Sequence, residues 1–179
     1  MKITGGKFKG RQLPQKVKNG VRPTASKVRE AVFNIIGPEI SASSFLDLYA
    51  GTGAVGFEAL GRGAKDVVFV DRDIEAIERF VKTHHFSNCR IIKGGVLKVL
   101  SNIERRQERF DFIYVDPPYD SAEVDQVMPL LGHIVNVAGL IIVEHFHKKA
   151  LLTDYGLIEL IKTYRYGDTI LSLYKGNQL

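Results

Sequence analysis

The sequence predicts an α/β domain with a mostly parallel sheet, and three features support that prediction. From residue 44 onward, short apolar runs alternate with amphipathic segments of helical period. A glycine-rich turn, residues 51–56, joins the first apolar run to the first of these helices. Two consecutive β-rich runs close the chain. Strands that alternate with helices form parallel βαβ units, whereas two adjacent β-rich runs form an antiparallel hairpin.

Each element follows from its own residue pattern. Buried parallel strands are short β-branched and aromatic runs, and surface helices repeat apolar residues every three or four positions. We therefore expect strands at 45–49, 67–71, 90–93, 110–115 and 140–144, and helices near 54–61, 73–84, 96–107 and 123–132. The closing hairpin is expected to pair 158–164 with 169–174.

The amino-terminal segment differs from the rest in charge. Residues 1–29 hold nine basic side chains and no acidic one, whereas the remaining 150 residues carry 16 basic and 20 acidic side chains. We expect a basic extension at 1–40, packed on a main domain at 41–179. Such a segment favours a polyanionic partner, most simply nucleic acid, and a solvated arm without a partner is the alternative.

Within the extension, residues 2–4 and 11–13 flank a glycine-rich stretch and predict a small hairpin, with Lys7, Lys9 and Arg11 on one strand face. A helix capped by Thr24 or Ser26 follows, and Gly37-Pro38 ends it. Lys27 and Arg29 are predicted to lie off its apolar face. The predicted RNA-binding residues are Lys7, Lys9, Arg11, Arg22, Lys27 and Arg29.

Composition also disfavours several classes of protein. The single cysteine, Cys89, cannot form an internal disulfide. The chain has no apolar window long enough for a membrane span and no signal peptide, so a cytoplasmic protein without membrane contact is expected. His145 and His147 lack an accompanying acidic or cysteine cluster, so no metal site is expected. Nothing indicates an obligate interface, and a monomer is expected.

The glycine turn and two carboxylates indicate a cofactor site. Missing Cβ atoms let the backbone approach a ligand, and Asp71 follows Gly51 by 20 residues, a spacing typical of a carboxylate that binds ribose hydroxyls. The turn also fits a dinucleotide fingerprint. Asp47 would repel a pyrophosphate but suits the cationic S-adenosylmethionine. Its alternative role is that of a strand-end residue that caps the following turn.

Residues 116–119, Asp-Pro-Pro-Tyr, follow the fourth predicted strand. The prolines end the strand and fix the backbone, which gives a rigid carboxylate and a rigid carbonyl where open α/β sheets bind their ligands. Hydrogen bonds from an exocyclic base amine to Asp116 and the Pro117 carbonyl would direct the nitrogen lone pair at a methyl donor. Tyr119 could stack on an extruded base. The alternatives are a plain Pro-Pro turn and simple packing of Tyr119.

These motifs together resemble a known family. DPPY matches the [D/N]PP[Y/F/W] motif of amino-group methyltransferases. ITGGKFKGRQL, RPTASKVREAVFNIIG and DLYAGTGAVGFEALGRGA closely resemble the bacterial RsmD-type enzymes that methylate guanine N2 in small-subunit (16S) ribosomal RNA. The resemblance runs from about residue 3 to residue 174. It implies a Rossmann-like class I S-adenosylmethionine-dependent methyltransferase with a seven-stranded sheet.

The resemblance also assigns the site. The residues implied or predicted to bind S-adenosylmethionine are Asp47, Tyr49, Gly51, Thr52, Gly53, Asp71, Arg72, Gly95 and Val96, and the catalytic group is Asp116, Pro117, Pro118 and Tyr119. One departure is visible at 93–96, Lys-Gly-Gly-Val, where such enzymes commonly place an Asp that accepts from the cofactor's adenine amine. Adenine selectivity here is expected to depend on backbone groups around Gly95 and Val96.

The sequence thus predicts methylation of guanine N2 in small-subunit ribosomal RNA, with free RNA or the ribosomal subunit as partner. Within enzymes, an adenine N6 methyltransferase of DNA or RNA is an alternative, because DPPY would serve either base. A nicotinamide-dependent oxidoreductase would explain the glycine turn but not DPPY. A non-catalytic RNA-binding assembly factor is the alternative of another class.

Overall fold

The computed structural model describes residues 1–14, 26–118 and 122–177 as a seven-stranded sheet with helices on both faces. The strands are β1 Ser44–Leu48, β2 Asp66–Asp71, β3 Cys89–Lys93, β4 Phe110–Val115, β5 Val135–Phe146, β6 Ile158–Tyr166 and β7 Thr169–Gly176. The helices are α1 Ser26–Ile36, α2 Ala54–Gly61, α3 Glu75–His84, α4 Val96–Arg105 and α5 Glu123–Leu131. The predicted α/β class and closing hairpin are confirmed.

The strand order is β3-β2-β1-β4-β5-β7-β6, and only β7 of these strands runs against the others. One core cluster joins α1, α2 and α3 to one face of the sheet, and a second joins α4 and α5 to the other. The chain winds outward from β1 to β3, then returns to place β4 on the other side of β1. The strand order therefore reverses between β1 and β4, where open α/β sheets bind their ligands.

Strand β5 is longer than the expected 140–144. Phe110 pairs with Val135, but Phe112 pairs with Leu140, so an irregularity lengthens the amino-terminal part of β5. Val137 within this part is 69% exposed. The residues in this amino-terminal part of β5 do not alternate regularly between buried and exposed. The periodicity of the sequence therefore located only the buried part of the strand, residues 140–144.

The amino-terminal segment forms a hairpin-like turn without regular strands. A single antiparallel bridge joins Lys2 and Gln12, and a short 3-10 helix, Gly6–Phe8, occupies the turn. Lys7 therefore lies in a helical turn, and the prediction that Lys7, Lys9 and Arg11 share one strand face is wrong. Gly6 has φ +68°, and a Cβ there would lie 1.7 Å from the Gly61 carbonyl oxygen. Such close approach favours a compact turn over two extended strands.

One residue of helix α1, Arg29, does not lie where the sequence predicted. Arg29 was expected off the apolar face, but it is completely buried against α2. Its Nε lies 3.3 Å from Glu58 Oε2, and its Nη2 donates to the Lys2 carbonyl at 2.7 Å. Thr4 also donates its backbone N–H and its hydroxyl to Glu58, each at 2.8 Å. A buried ion pair therefore connects α1, α2 and residues 1–4.

The division into an extension at 1–40 and a main domain at 41–179 stays a prediction. Thr24, one of the two predicted caps of α1, lies outside the described residues. The second 3-10 helix, Gly37–Ile40, follows α1 directly, as the Gly37-Pro38 stop signal predicted. Across the described ranges, none of the helices is long and apolar enough to cross a bilayer.

Candidate active site at the carboxyl edge of the sheet

The turns that follow β1, β2, β3 and β4 converge at one edge of the sheet. Backbone hydrogen bonds connect them: Ala50 N–H donates to the Val70 carbonyl (3.0 Å), and Gly94 N–H to the Asp71 carbonyl (2.9 Å). Asp116 N–H points to the Leu48 carbonyl at 3.4 Å. The predicted cofactor turn and the predicted catalytic turn thus border one crevice.

The turn between β1 and α2 has the backbone shape of a ligand-binding loop. Gly53 has φ +76° and is the amino-terminal cap of α2, which begins at Ala54. Tyr49 also has a positive φ, 60°, which costs about 1 kcal/mol or more in a residue with a Cβ. Strain of this kind is concentrated at binding sites, where the surrounding structure enforces it.

Asp47 lies at the end of β1 and is 1% exposed. Its Oδ2 accepts from the Gly56 N–H at 2.9 Å, so the carboxylate does cap the helix that follows. Burial first, and then the neighbouring Asp71 carboxylate, raise the pKa of Asp47 to about 7, while the Gly56 hydrogen bond opposes them. No cationic side chain pairs with Asp47 among the described residues, and a buried carboxylate of this kind suits a cationic ligand.

Gly56 explains how Asp47 comes so close to α2. A Cβ at Gly56 would lie 2.3 Å from the Phe69 ring and 3.0 Å from Asp47 Oδ2. The third glycine of the motif is therefore required by packing between α2 and the sheet, as in a dinucleotide-type turn.

Asp71 ends β2 and orders the glycine turn. Its Oδ2 accepts from Gly51 N–H at 2.7 Å, and its Oδ1 accepts from Asp73 N–H at 2.8 Å. Each carboxylate oxygen can accept more than one hydrogen bond, so Asp71 can still receive ribose hydroxyls. Arg72 beside it is exposed and lies 3.9 Å from Glu123 of α5.

The turn after β3 completes this side of the crevice. Gly95 caps α4, Val96 is buried, and the Arg72 guanidinium lies 3.8 Å from where a Gly95 Cβ would be. The structure therefore brings Gly95 and Val96 to the same edge as Gly51, Thr52 and Gly53, as the sequence predicted. Tyr49 lies near Arg72 and Glu123, and burial followed by the Glu123 charge raises the pKa of its hydroxyl.

The Asp-Pro-Pro segment begins immediately after β4 ends at Val115. Asp116 is half-buried, Pro117 is buried and Pro118 is exposed. This is the predicted strand-stop geometry, with the carboxylate at the crevice and the prolines fixing the backbone behind it. Tyr119 lies outside the described residues.

Two further residues near this edge, Tyr114 and Glu144, are buried. Tyr114 of β4 donates its hydroxyl to Glu144 Oε2 of β5, and both side chains are buried. Burial first, then the charges of Glu144, Asp116 and Asp47, raise the pKa of Tyr114 well above its ordinary value. The only sequence signal was a carboxylate at the end of the apolar run 140–143, which is equally typical of an ordinary strand end.

Among the described residues, the predicted RNA-binding side chains lie in different surroundings. Lys7, Lys9 and Lys27 are exposed, whereas the Arg11 guanidinium lies over the Phe8 ring, 4.6 Å from its centroid. Lys7 lies next to Gly6, which contacts Gly61 at the end of α2 far from the glycine turn. This end of α2 is opposite to the end that follows the glycine turn. Arg22 lies outside the described residues, and Arg29 is buried.

Comparison with known proteins identifies the family. The chain matches the model of the family described as conserved hypothetical protein 95 over residues 1–175. The chain belongs to this family, the RsmD family. Among curated relatives, YlbH of Bacillus subtilis is 32% identical to this chain, and the alignment covers 98% of each protein. Ribosomal RNA small subunit methyltransferase D of Haemophilus influenzae is 34% identical over 86% of this chain and 82% of its own length.

Solved structures agree with the RsmD-family assignment. The structure of yhhF from Escherichia coli superposes with a TM-score of 0.86 at 29% identity, covering 98% of this chain and 97% of its own. A protein from Thermus thermophilus gives a TM-score of 0.82 at 29% identity, with 98% and 99% coverage. SMU.776, solved in complex with SAH, shares only the fold, at 15% identity and a TM-score of 0.70 over 89% of this chain and 51% of its own. The predicted Rossmann-like methyltransferase fold is confirmed.

Proposed function

We propose that this RsmD-family protein transfers a methyl group from S-adenosylmethionine to the exocyclic N2 amine of a guanine in small-subunit ribosomal RNA. The observation that supports it is the convergence of the glycine turn, Asp47 and Asp71 with Asp116-Pro117 where the strand order reverses. The relative from Haemophilus influenzae, 34% identical, is named a small-subunit ribosomal RNA methyltransferase. A protein of the same fold was solved with SAH.

The cofactor residues fit S-adenosylmethionine in charge and shape. Asp47 is a buried carboxylate without a cationic partner in the described part of the chain, and it can accept from an ammonium group. Asp71 keeps acceptor capacity for ribose hydroxyls beyond its two backbone contacts. Backbone groups of Gly95 and Val96 would border the adenine. When bound, S-adenosylmethionine supplies an electrophilic methyl group on a sulfonium.

The catalytic residues would act by orienting the target amine. The Asp116 carboxylate and the Pro117 carbonyl would accept hydrogen bonds from the two amine N–H groups, which holds the nitrogen lone pair in line with the methyl group. The new nitrogen–carbon bond would form as the sulfur–carbon bond breaks and S-adenosylhomocysteine leaves, and the methylated amine would then release one proton to water. The carboxylate also stabilises the positive charge that develops on nitrogen as the bond forms. Two consecutive prolines limit the movement of both acceptors, since each fixes its φ. Tyr119 is proposed to stack on the extruded base.

The test is methyl transfer with a defined product. Purified protein is incubated with methyl-labelled S-adenosylmethionine and naked 16S ribosomal RNA, small subunits from a deletion strain, or DNA, and the labelled nucleoside is identified. The proposal predicts label in N2-methylguanosine from RNA or subunits alone. Label in N6-methyladenosine, or only in DNA, would reject the assignment of base or substrate. RNA binding with no transfer to any substrate would favour a non-catalytic assembly factor.

A further inference from the structure

A buried carboxylate lies beside the proposed catalytic group without a role in that mechanism. Glu144 of β5 is 3% exposed and receives the hydroxyl of Tyr114, which is 1% exposed. No ion pair involves Glu144 among the described residues. Burial raises the pKa of Glu144, while the hydrogen bond from Tyr114 lowers it. Each further hydrogen bond to the carboxylate stabilises its charged form, so the position of Glu144 at this edge suits a ligand that donates one.

The strand register fixes where Glu144 lies relative to Asp116. Val115 of β4 pairs with Val143 of β5, so Asp116 and Glu144 follow at the same level on adjacent strands. Adjacent strands lie about 4.8 Å apart. Tyr114 and Ile142 share one core cluster, which places Glu144 on the same sheet face as Tyr114.

The order of groups along this edge is also fixed. The cofactor turns follow β1, β2 and β3, Asp116 follows β4, and Glu144 lies on β5, beyond Asp116. A base whose amine is held by Asp116 faces the methyl donor on the β1 side. The ring atoms next to that amine can then face β5, where the Glu144 carboxylate lies.

The chemistry of the bases makes this position selective. In guanine the N2 amine is adjacent to N1–H, so two neighbouring groups donate hydrogen bonds. In adenine and cytosine the ring nitrogen next to the amine is an acceptor, whose lone pair a carboxylate repels. Acceptors at Asp116 and Pro117 alone do not distinguish these bases, because each exocyclic amine offers them the same donors.

We propose that Glu144 selects guanine by accepting the N1–H of the target base, with Tyr114 holding the carboxylate in place through its second oxygen. This inference rests on the proposed function and deepens it, because it names the residue that chooses the base. Tyr114 is a positioning residue, since it acts through Glu144. Charge-assisted hydrogen bonds of this kind discriminate strongly, because the wrong base leaves a buried carboxylate without its donor.

The test compares guanine with 2-aminopurine at the target nucleotide of ligated 16S ribosomal RNA. 2-Aminopurine keeps the exocyclic 2-amine but has a lone pair instead of N1–H. The wild-type protein is expected to methylate guanine roughly 10- to 100-fold faster than 2-aminopurine. Glu144→Gln should shrink or reverse that ratio, because the glutamine amide can donate to N1. Its affinity for S-adenosylhomocysteine, measured by calorimetry, should stay that of wild type.

Two matched variants separate base recognition from a structural tie between β4 and β5. Tyr114→Phe keeps the carboxylate, so it should lower transfer yet preserve the preference for guanine. Glu144→Asp should also preserve the preference. Equal transfer to guanine and 2-aminopurine by the wild-type protein would overturn the inference on its own, which keeps the test decisive if Glu144→Gln does not fold. The inference is overturned if a folded Glu144→Gln protein keeps the wild-type ratio of guanine to 2-aminopurine transfer. It is also overturned if Tyr114→Phe loses that ratio to the same extent as Glu144→Gln. If the wild-type protein methylates guanine in these experiments, the proposed function holds whatever the variants do. If it does not, the proposed function itself is rejected.

Discussion

At the scale of single residues, burial and charge explain the site better than sequence position does. Asp47, Asp71 and Asp116 could be located from the sequence, because each follows an apolar run and parallel strand ends meet at one edge. The strand-end position of Glu144 is also visible in the sequence, where a pocket residue and an ordinary strand end are equally good interpretations. Its contact with Tyr114 is not visible, because it depends on the register between β4 and β5. The burial of Arg29 was missed for the same reason, since only packing of α1 on α2 supplies Glu58 as its partner.

Asp47 gives a prediction for stability. Its pKa is about 7 in the folded, ligand-free protein against an ordinary value of 3.8, because burial penalises the carboxylate. The folded state therefore binds the proton more tightly than the unfolded state. The penalty is absent below about pH 4, grows as the pH rises towards 7 and is complete above it. Asp47→Asn should raise the free energy of unfolding at pH 8 by roughly 2–4 kcal/mol.

Urea denaturation of the ligand-free protein at pH 4 and pH 8 checks this. The rise in the free energy of unfolding should be small at pH 4, because the folded-state carboxyl is then protonated and the pH lies close to the ordinary pKa of 3.8 in the unfolded state. Asp154→Asn, which changes an exposed carboxyl, is the control and should alter stability little at either pH. If Asp47→Asn raised the free energy of unfolding equally at both pH values, ionisation of Asp47 would not destabilise the folded protein.

The same pKa predicts how cofactor affinity varies with pH. The ammonium group of S-adenosylhomocysteine pairs with the carboxylate form of Asp47, so affinity for this ligand should fall as the pH drops below about 7, approaching tenfold per pH unit. Calorimetry from pH 5.5 to 8.5 measures the profile. In Asp47→Asn the slope should vanish and the affinity should be low throughout. A slope that persists in this variant would assign the titration to another group.

At the scale of elements, regular periodicity predicted the sheet well, and irregular packing limited the rest. Strands β1 to β4 begin and end within one or two residues of their expected positions. Strands β1, β2 and β4 are short and buried on both faces, whereas the edge strand β3 is only partly buried and is marked by its β-branched residues. Strand β5 extends further because an irregular pairing adds exposed residues that no period marks. The first residues form a 3-10 turn because Gly6 packs against the Gly61 backbone, a contact between distant parts of the chain.

The buried pair Arg29–Glu58 should hold the amino-terminal turn on α2. Glu58 accepts from Arg29, Arg62 and Thr4, so Glu58→Ala leaves Arg29 as an unpaired buried charge. We expect a loss of about 3–5 kcal/mol in the free energy of unfolding. Faster amide exchange should follow at Ile3 and Leu13.

Urea denaturation and hydrogen exchange measure the two effects. Glu104→Ala, which removes a half-exposed carboxylate from α4, is the control and should change stability little. A Glu58→Ala protein with wild-type stability would contradict the role given to this pair.

At the scale of the whole molecule, the exposed lysines of residues 1–14 lie apart from the crevice. The crevice lies at the carboxyl edge of the sheet, while Lys7 lies near the end of α2, a helix of eight residues or about 12 Å. Composition revealed that the first residues are basic, but it could not reveal this separation, which depends on how residues 1–14 pack on α2. A ribosomal RNA substrate would have to extend across both regions.

This separation predicts a salt-dependent role for Lys7 and Lys9. The Lys7→Ala/Lys9→Ala variant should bind 16S ribosomal RNA more weakly, with a slope of log K against log salt reduced by about 1.5. Its affinity for S-adenosylhomocysteine should not change. Lys162→Ala, an exposed lysine on the edge strand β6, is the matched control. An unchanged salt slope in the double variant would show that these lysines do not contact phosphate.

The account as a whole depends on Asp116 as the acceptor that orients the target amine. The most direct measurement is transfer of labelled methyl from S-adenosylmethionine to small subunits by Asp116→Ala, beside calorimetry with S-adenosylhomocysteine and an Asp154→Ala control on an exposed turn. We predict that Asp116→Ala loses transfer by roughly 100- to 1000-fold while it keeps wild-type cofactor affinity. Undiminished transfer by this variant would contradict the account.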